Sequence, residues 1–97
     1  MTGRLRLSPR ARADVVDIWK YSARKWGIDQ AEIYVRRLGQ HIALIVEHPD
    51  LGRSRSDIRA GYHSFPCEDH VAFYRIVNGG SEVVRNLHKG MDYRRHL

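Results

Sequence analysis

The sequence predicts an α+β domain in which an N-terminal β-strand is followed by an antiparallel helical hairpin packed on a small, mostly antiparallel β-sheet, in the order β-α-α-β-β-β. Three observations carry this expectation. Two successive stretches place apolar residues at helical spacing, with little more than Gly27 between them. After Gly61 the pattern becomes extended and rich in aromatic and β-branched residues. Between two of these extended runs, Asn78-Gly79-Gly80 is a strong hairpin signal. A chain of 97 residues closes one core and is read as a single domain, 1–97.

Leu5 and Leu7 alternate with Arg4 and Arg6 at period two, as in a short strand with one wet face. Ser8-Pro9 ends that strand and starts a helix. The serine hydroxyl can accept an orphan backbone N–H, and proline at the first helical position lacks only a donor that would have no partner. The helix runs from about Pro9 to Trp26, with Val15, Ile18, Trp19, Ser22 and Trp26 on its packing stripe. Gly27 is its stop, and Asp29 with Glu32 three residues on reads as the capped start of a second helix. Ala31, Tyr34, Val35, Leu38, Ile42, Ile45 and Val46 form that helix's stripe, which persists to His48-Pro49. So short a link forces an antiparallel hairpin. From Pro49 to Ser56 the chain is turn-rich, polar and basic, and reads as a loop. Tyr62 to Phe65 leads into a turn at Pro66-Cys-Glu-Asp69, and His70 to Val77 with Ser81 to Leu87 completes a three-stranded meander.

Seventeen Lys and Arg against 11 Asp and Glu leave a net charge of +6 and a pI near 10.0, which favours an anionic partner: nucleic acid, an acidic protein or anionic lipid. Arginine outnumbers lysine by 14 to 3, which suits planar, bidentate contacts with carboxylates or phosphates. Cys67 is the single cysteine, so the chain builds no intramolecular disulfide, zinc ribbon or CxxC motif, and a reducing, cytoplasmic setting is expected. The N-terminus shows no signal-like apolar stretch. The longest apolar run, Ile42 to Val46, is far short of the about 20 residues a bilayer requires, so no membrane role is expected. His41, His48, His63, His70, His88 and His96 show no paired-ligand spacing, and nothing resembles a phosphate loop. No metal, cofactor or catalytic cysteine is expected.

Several motifs, in order, carry a family resemblance. Leu7-Ser-Pro at the first helix, Ile18-Trp-Lys-Tyr21, Trp26-Gly-Ile-Asp-Gln-Ala31 with Tyr34, His48-Pro-Asp-Leu-Gly52, Ile58-Arg-Ala-Gly-Tyr62, His70-Val-Ala-Phe-Tyr-Arg75, and Arg85-Asn-Leu-His88 with Met91-Asp92 and His96-Leu97 resemble the ParE toxins. These belong to the RelE/ParE superfamily of type II toxin–antitoxin systems, and the resemblance spans nearly the whole chain. It implies a toxin that inhibits DNA gyrase by trapping it on cleaved DNA, is neutralised by a cognate ParD-like antitoxin and has no catalytic residues. DNA would then be met only indirectly, through gyrase.

The alternative is the RelE branch, a ribosome-dependent mRNA endoribonuclease, because one scaffold serves both functions. RNA cleavage by 2′-hydroxyl attack needs a group orienting that hydroxyl, cations on the scissile phosphate and a proton donor for the leaving oxygen. With Tyr74 matched to the shared aromatic of the third strand, the position of the RelE-type catalytic arginine falls near Val71. The Gly-Lys-Arg run after the last strand becomes His88-Lys89-Gly90. Arg75 and Arg85 remain, and by sequence alone they point to either face of the sheet.

The C-terminal segment combines cations, an aromatic and apolar residues, as an interface needs. His88, Lys89, Met91, Asp92, Arg94, Arg95, His96 and Leu97 are the candidates for target inhibition. The other reading of this segment is a tail packed on the sheet through Met91 and Leu97. An acidic, amphipathic antitoxin helix would find apolar anchors in Trp19, Tyr21, Trp26 and Tyr34 and charge partners in Arg59, Arg75 and Arg85, unless most of these aromatics are core. Arg53, Arg55 and Arg59 form a second basic patch, and Arg4, Arg6, Arg10 and Arg12 a third.

Overall fold

A computed structural model describes residues 4–97. Ser8 acts as its sequence context predicts: its hydroxyl accepts the Ala11 N–H at 3.0 Å and also donates to the Val84 carbonyl at 2.8 Å, joining strand and helix at one residue. Strand β1 (Arg4–Leu7) therefore passes directly into helix α1 (Pro9–Trp26). Gly27, at φ +95°, closes α1 by donating to the Ala23 carbonyl and opens α2 (Ile28–Glu47) by accepting from the Ala31 N–H. The expected Asp29 cap does not form. Because Gly27 serves both helices, α2 begins one residue before Asp29, which lies inside the first turn and there faces the positive end of the helix.

A 3₁₀ turn, Pro49–Leu51, leads into the two-residue strand β2 (Arg53–Ser54), inside the segment expected to be a loop. Strands β3 (Tyr62–Cys67), β4 (His70–Val77) and β5 (Gly80–His88) follow, and a short helix α3 (Tyr93–His96) ends the chain. The five strands form one sheet in the order β1-β5-β4-β3-β2, antiparallel throughout except for the parallel β1–β5 pair. β3 runs through Pro66 and Cys67, which were expected to turn. Pro66 opposes Val71 of β4 but no residue of β2, so its missing N–H breaks no second ladder, and the turn is made by Glu68 (φ 58°) and Asp69.

One face of the sheet carries the core. Ala72, Tyr74, Val83 and Cys67 meet Ala11 and Ile18 of α1 and Leu38, Ile42 and Ile45 of α2. Ser22 of the expected α1 stripe is buried, but the stripe differs at its ends: Ala11, outside it, is buried, whereas Trp26 is 57% exposed. In β1 only Leu7, beside the buried Val83, packs against the core, whereas Leu5 lies in a row with Ser81 and the exposed Ile76 and stays exposed itself. Tyr74 holds the 3₁₀ turn to the core: its hydroxyl donates to the Pro49 carbonyl and accepts the Gly52 N–H at 2.9 Å. Gly52 is required by that approach, since a Cβ there would clash with the Tyr74 ring and hydroxyl.

The other face is covered in part by the C-terminal segment. Tyr93 sits edge-on against Phe73 with ring centroids 4.8 Å apart, and the Arg55 guanidinium lies 5.8 Å from both rings. Phe73 is fully buried as a result. The tail packs on the sheet through Tyr93, which was not expected to anchor it, with Leu97 half-buried, whereas Met91, expected to pack, is exposed.

Candidate functional site

The first candidate surface is the tip of the helical hairpin. Trp26 is the last residue of α1, so no further turn covers it; it meets Tyr21 edge-on at 6.1 Å. Both rings are about half exposed, at 57% and 51%. The Lys25 ammonium lies 5.2 Å from the Trp26 ring and donates to the Tyr21 hydroxyl at 3.2 Å. On α2, Tyr34 is half-buried: its hydroxyl accepts the Asp69 N–H at 3.1 Å and lies 2.5 Å from His70 Nδ1. Burial holds the Tyr34 phenol above its ordinary pKa. A cleft of about 240 Å³ opens between Trp26 and Tyr34 on one side and His70 and His88 on the other. An adjoining one of about 260 Å³ adds Ile33 and Arg37. Trp19 is half-buried.

His70 and His88 are direct cross-strand partners with rings 5.3 Å apart. Burial, reinforced by the neighbouring His88, pushes the His70 pKa down. Among the described residues no three His, Cys, Asp or Glu side chains are grouped to hold a metal ion. Cys67 is buried and its thiol is pushed up to about 11, which keeps it protonated and inert.

The second candidate surface is the sheet face turned away from the helices. Strand register lines up Tyr62, Arg75, Glu82 and Arg6 across four strands. Arg75 Nε donates to Glu82 at 2.7 Å, and the Arg59 guanidinium lies 5.9 Å from the Tyr62 ring. Beside this row is a trough of about 260 Å³, walled by Arg10 of α1 and by His96 and floored by Tyr62 and Val84. Its rim is held by Arg85, whose guanidinium forms a fork on Asp14 at 2.8 and 2.9 Å and donates to the His96 carbonyl at 2.9 Å. Asp14 also accepts the Asn86 N–H at 2.9 Å, completing the β5 edge where β1 has already ended. That hydrogen bonding to Asp14 raises the Arg85 pKa.

The residues expected to face an antitoxin thus divide. Tyr21, Trp26 and Tyr34 meet at the hairpin tip, whereas Arg59 and Arg75 lie on the opposite sheet face and Arg85 is spent on Asp14. In the C-terminal segment, Lys89 pairs with Asp69 at 3.2 Å, and His88 Nδ1 accepts the Gly90 N–H. Asp92 caps α3 and pairs with Arg95, while Arg94 donates to the Asp57 carbonyl at 3.0 Å. Met91, Arg94 and Arg95 are exposed, and Leu97 is half-buried at the trough. Tyr62, Asp14 and the Phe73–Tyr93 pair were not singled out by sequence: only register and the return of the chain bring them to this face. No helix among the described residues is long and apolar enough to cross a membrane.

Comparison with known proteins gives one answer. The family described as ParE toxin of type II toxin-antitoxin system, parDE, matches residues 5–93. A relative named Toxin ParE1 from Caulobacter vibrioides is 47% identical over 92 residues, 95% of each chain. Another Toxin ParE1, from Mycobacterium tuberculosis, is 41% identical over the full length of both chains. Among solved structures, a chain of the chromosomal ParDE TA system from P. aeruginosa superposes with a TM-score of 0.79 at 17% identity, covering 89% of this chain and 95% of that one, and shares the fold.

Proposed function

The chain belongs to the ParE toxin family of type II toxin–antitoxin systems, and from that premise we propose that it poisons DNA gyrase by contact, trapping it on cleaved DNA, and is held inactive by a ParD-like antitoxin. The observation that carries this reading over the endoribonuclease is the chemistry of β4 and of the turn after β5. Val71, where RelE-type cleavage would need a cation, is an apolar residue paired with Leu87. Lys89, the one cation of the following turn, is tied to Asp69. Arg85, with its guanidinium fork on Asp14 and a further bond to His96, is committed to holding the fold.

The antitoxin surface is the hairpin tip. Tyr21 and Trp26 offer exposed ring area, and Lys25 and Arg37 flank it with charge for an acidic, amphipathic segment. Arg59 and Arg75, on the opposite face of the sheet, stand outside that surface. The gyrase-directed surface is the C-terminal segment, from His88 to Leu97, led by the exposed Arg94 and Arg95.

A supercoiling and cleavage-complex assay with purified toxin tests the target: accumulation of cleaved DNA supports gyrase poisoning. Codon-specific cutting of ribosome-bound message with gyrase unaffected would reverse the choice. Arg94→Ala with Arg95→Ala is expected to lower toxicity at least tenfold and leave antitoxin affinity within about twofold. The Arg94–Asp57 and Arg95–Asp92 ion pairs are solvent-exposed, so the double variant should fold with its melting temperature little changed. Harmless expression and indifference to the product of the adjacent reading frame would sink the antitoxin assignment.

A further inference from the structure

Arg10 and Arg59, which line the trough, form no ion pair among the described residues, and neither does Arg6, which stands in the row beside it and lines the next cleft with Arg4 and Arg12. The neighbouring cations are different: Arg55 is paired with Asp57, Arg75 with Glu82 and Arg85 with Asp14. The first turn of α1, which points its positive end at the trough, contains no acidic residue and instead carries Arg10. An arginine there works against the helix dipole and raises the local positive potential. In the floor, the Tyr62 ring is half-buried beneath the Arg59 guanidinium, so a planar cation and an aromatic face lie together.

We propose that this trough binds a single nucleic-acid strand directly, its phosphates on Arg10, Arg59 and Arg6 and one base laid against Tyr62. Unpaired arginines match phosphate oxygens, and flat aromatic and guanidinium groups stack unpaired bases without regard to sequence. An acidic peptide would satisfy the charge but leave the Tyr62–Arg59 surface without its matching plane. A duplex keeps its bases stacked inward and cannot offer one to Tyr62. The contacts are to phosphates and to the face of one base, which DNA and RNA strands share. This goes beyond the gyrase reading, in which DNA is met only through the target, and it is tested without gyrase.

Fluorescence anisotropy with labelled dT12, U12, a 12-base-pair duplex and an oligoglutamate peptide distinguishes the occupants. The dT12 and U12 strands are expected to bind within about threefold of each other and at least tenfold more tightly than duplex or peptide. The slope of log affinity against log salt should lie near −2, as expected for about three phosphate contacts on a single strand. Arg10→Gln and Arg59→Gln should each weaken binding several-fold and flatten that slope, and Tyr62→Leu should cost about tenfold with the slope unchanged. Arg36→Gln removes the same charge from the exposed surface of α2 and should leave binding as it was. An equal loss in Arg36→Gln would show bulk charge rather than a site and overturn the proposal. So would preference for oligoglutamate or duplex, preference of U12 over dT12 by more than tenfold, or no strand binding at low salt with the variants' thermal melts intact.

Discussion

At the tip of the helical hairpin, Tyr21 and Trp26 leave about half their surface in water with Lys25 beside them, whereas across the sheet Arg10 and Arg59 flank a trough floored by Tyr62 and Val84. The two regions use the same side-chain types in opposite proportion. At the tip, ring area awaits removal from water, a contribution that scales with area and changes little with salt. At the trough, charge is concentrated in excess of its partners, and attraction there weakens as salt screens it. A net charge of +6 therefore does not describe an evenly basic toxin: one surface is suited to holding a protein partner by desolvation and the other to an anion.

The largest effect should come from cutting the tie between the regions. Asp14 joins α1 to Arg85 and to the open edge of β5, with both side chains mostly buried. Asp14→Ala leaves Arg85 and the Asn86 N–H without partners and is expected to cost about 3 kcal/mol. Thermal denaturation should register a fall of more than about 10 °C. An unchanged melting temperature would show that the fork on Arg85 contributes nothing to the fold. Next is Tyr74→Phe, which strands the Pro49 carbonyl and the Gly52 N–H and should cost about 2 kcal/mol, read as a lower urea midpoint with the same slope.

Trp26→Ala bears directly on the contrast. Because the ring is more exposed than buried, stability should change by less than about 0.5 kcal/mol, while antitoxin affinity falls at least tenfold with little dependence on salt. A stability loss of about 2 kcal/mol with unchanged affinity would return Trp26 to the core. The smallest effect concerns pH. His70 is held below the ordinary histidine pKa by burial and then by His88, with Asp69 and Asp14 opposing. As pH falls, the unfolded chain takes up this proton before the folded one. The contribution of neutral His70 is thus intact above about pH 6.5 and is lost as pH drops from there towards the folded pKa. His70→Gln should flatten the fall in the urea midpoint between pH 7.5 and 5.5.

Local signals were legible where the backbone alone enforces them. Ser8-Pro9, Gly27 and Asn78-Gly79-Gly80 restrict the chain within a few residues, and the two helices and the β4–β5 hairpin appear where those signals put them. The short strand β2 was hidden because its two residues pair only after β3 has arrived, and Pro66 remained in β3 because β2 is too short to demand its missing N–H. The Asp29 cap failed because Gly27 was already ending one helix and starting the next.

The site divides in the same way. Residue identity and order were enough to establish the family, the excess of arginine and the exposed aromatics of the hairpin as candidates. Which cations are spent and which are free was not legible, since Asp14 meets Arg85 across 71 positions and Asp57 meets Arg94 across 37. Nor was it legible that Tyr93 would close over Phe73 and turn part of the tail into a lid on the sheet. Spacing along a chain encodes helices, strands and turns because those are local constraints. The pairing of charges and the covering of a sheet face depend on distances through space, and these exist only once the strands are in register.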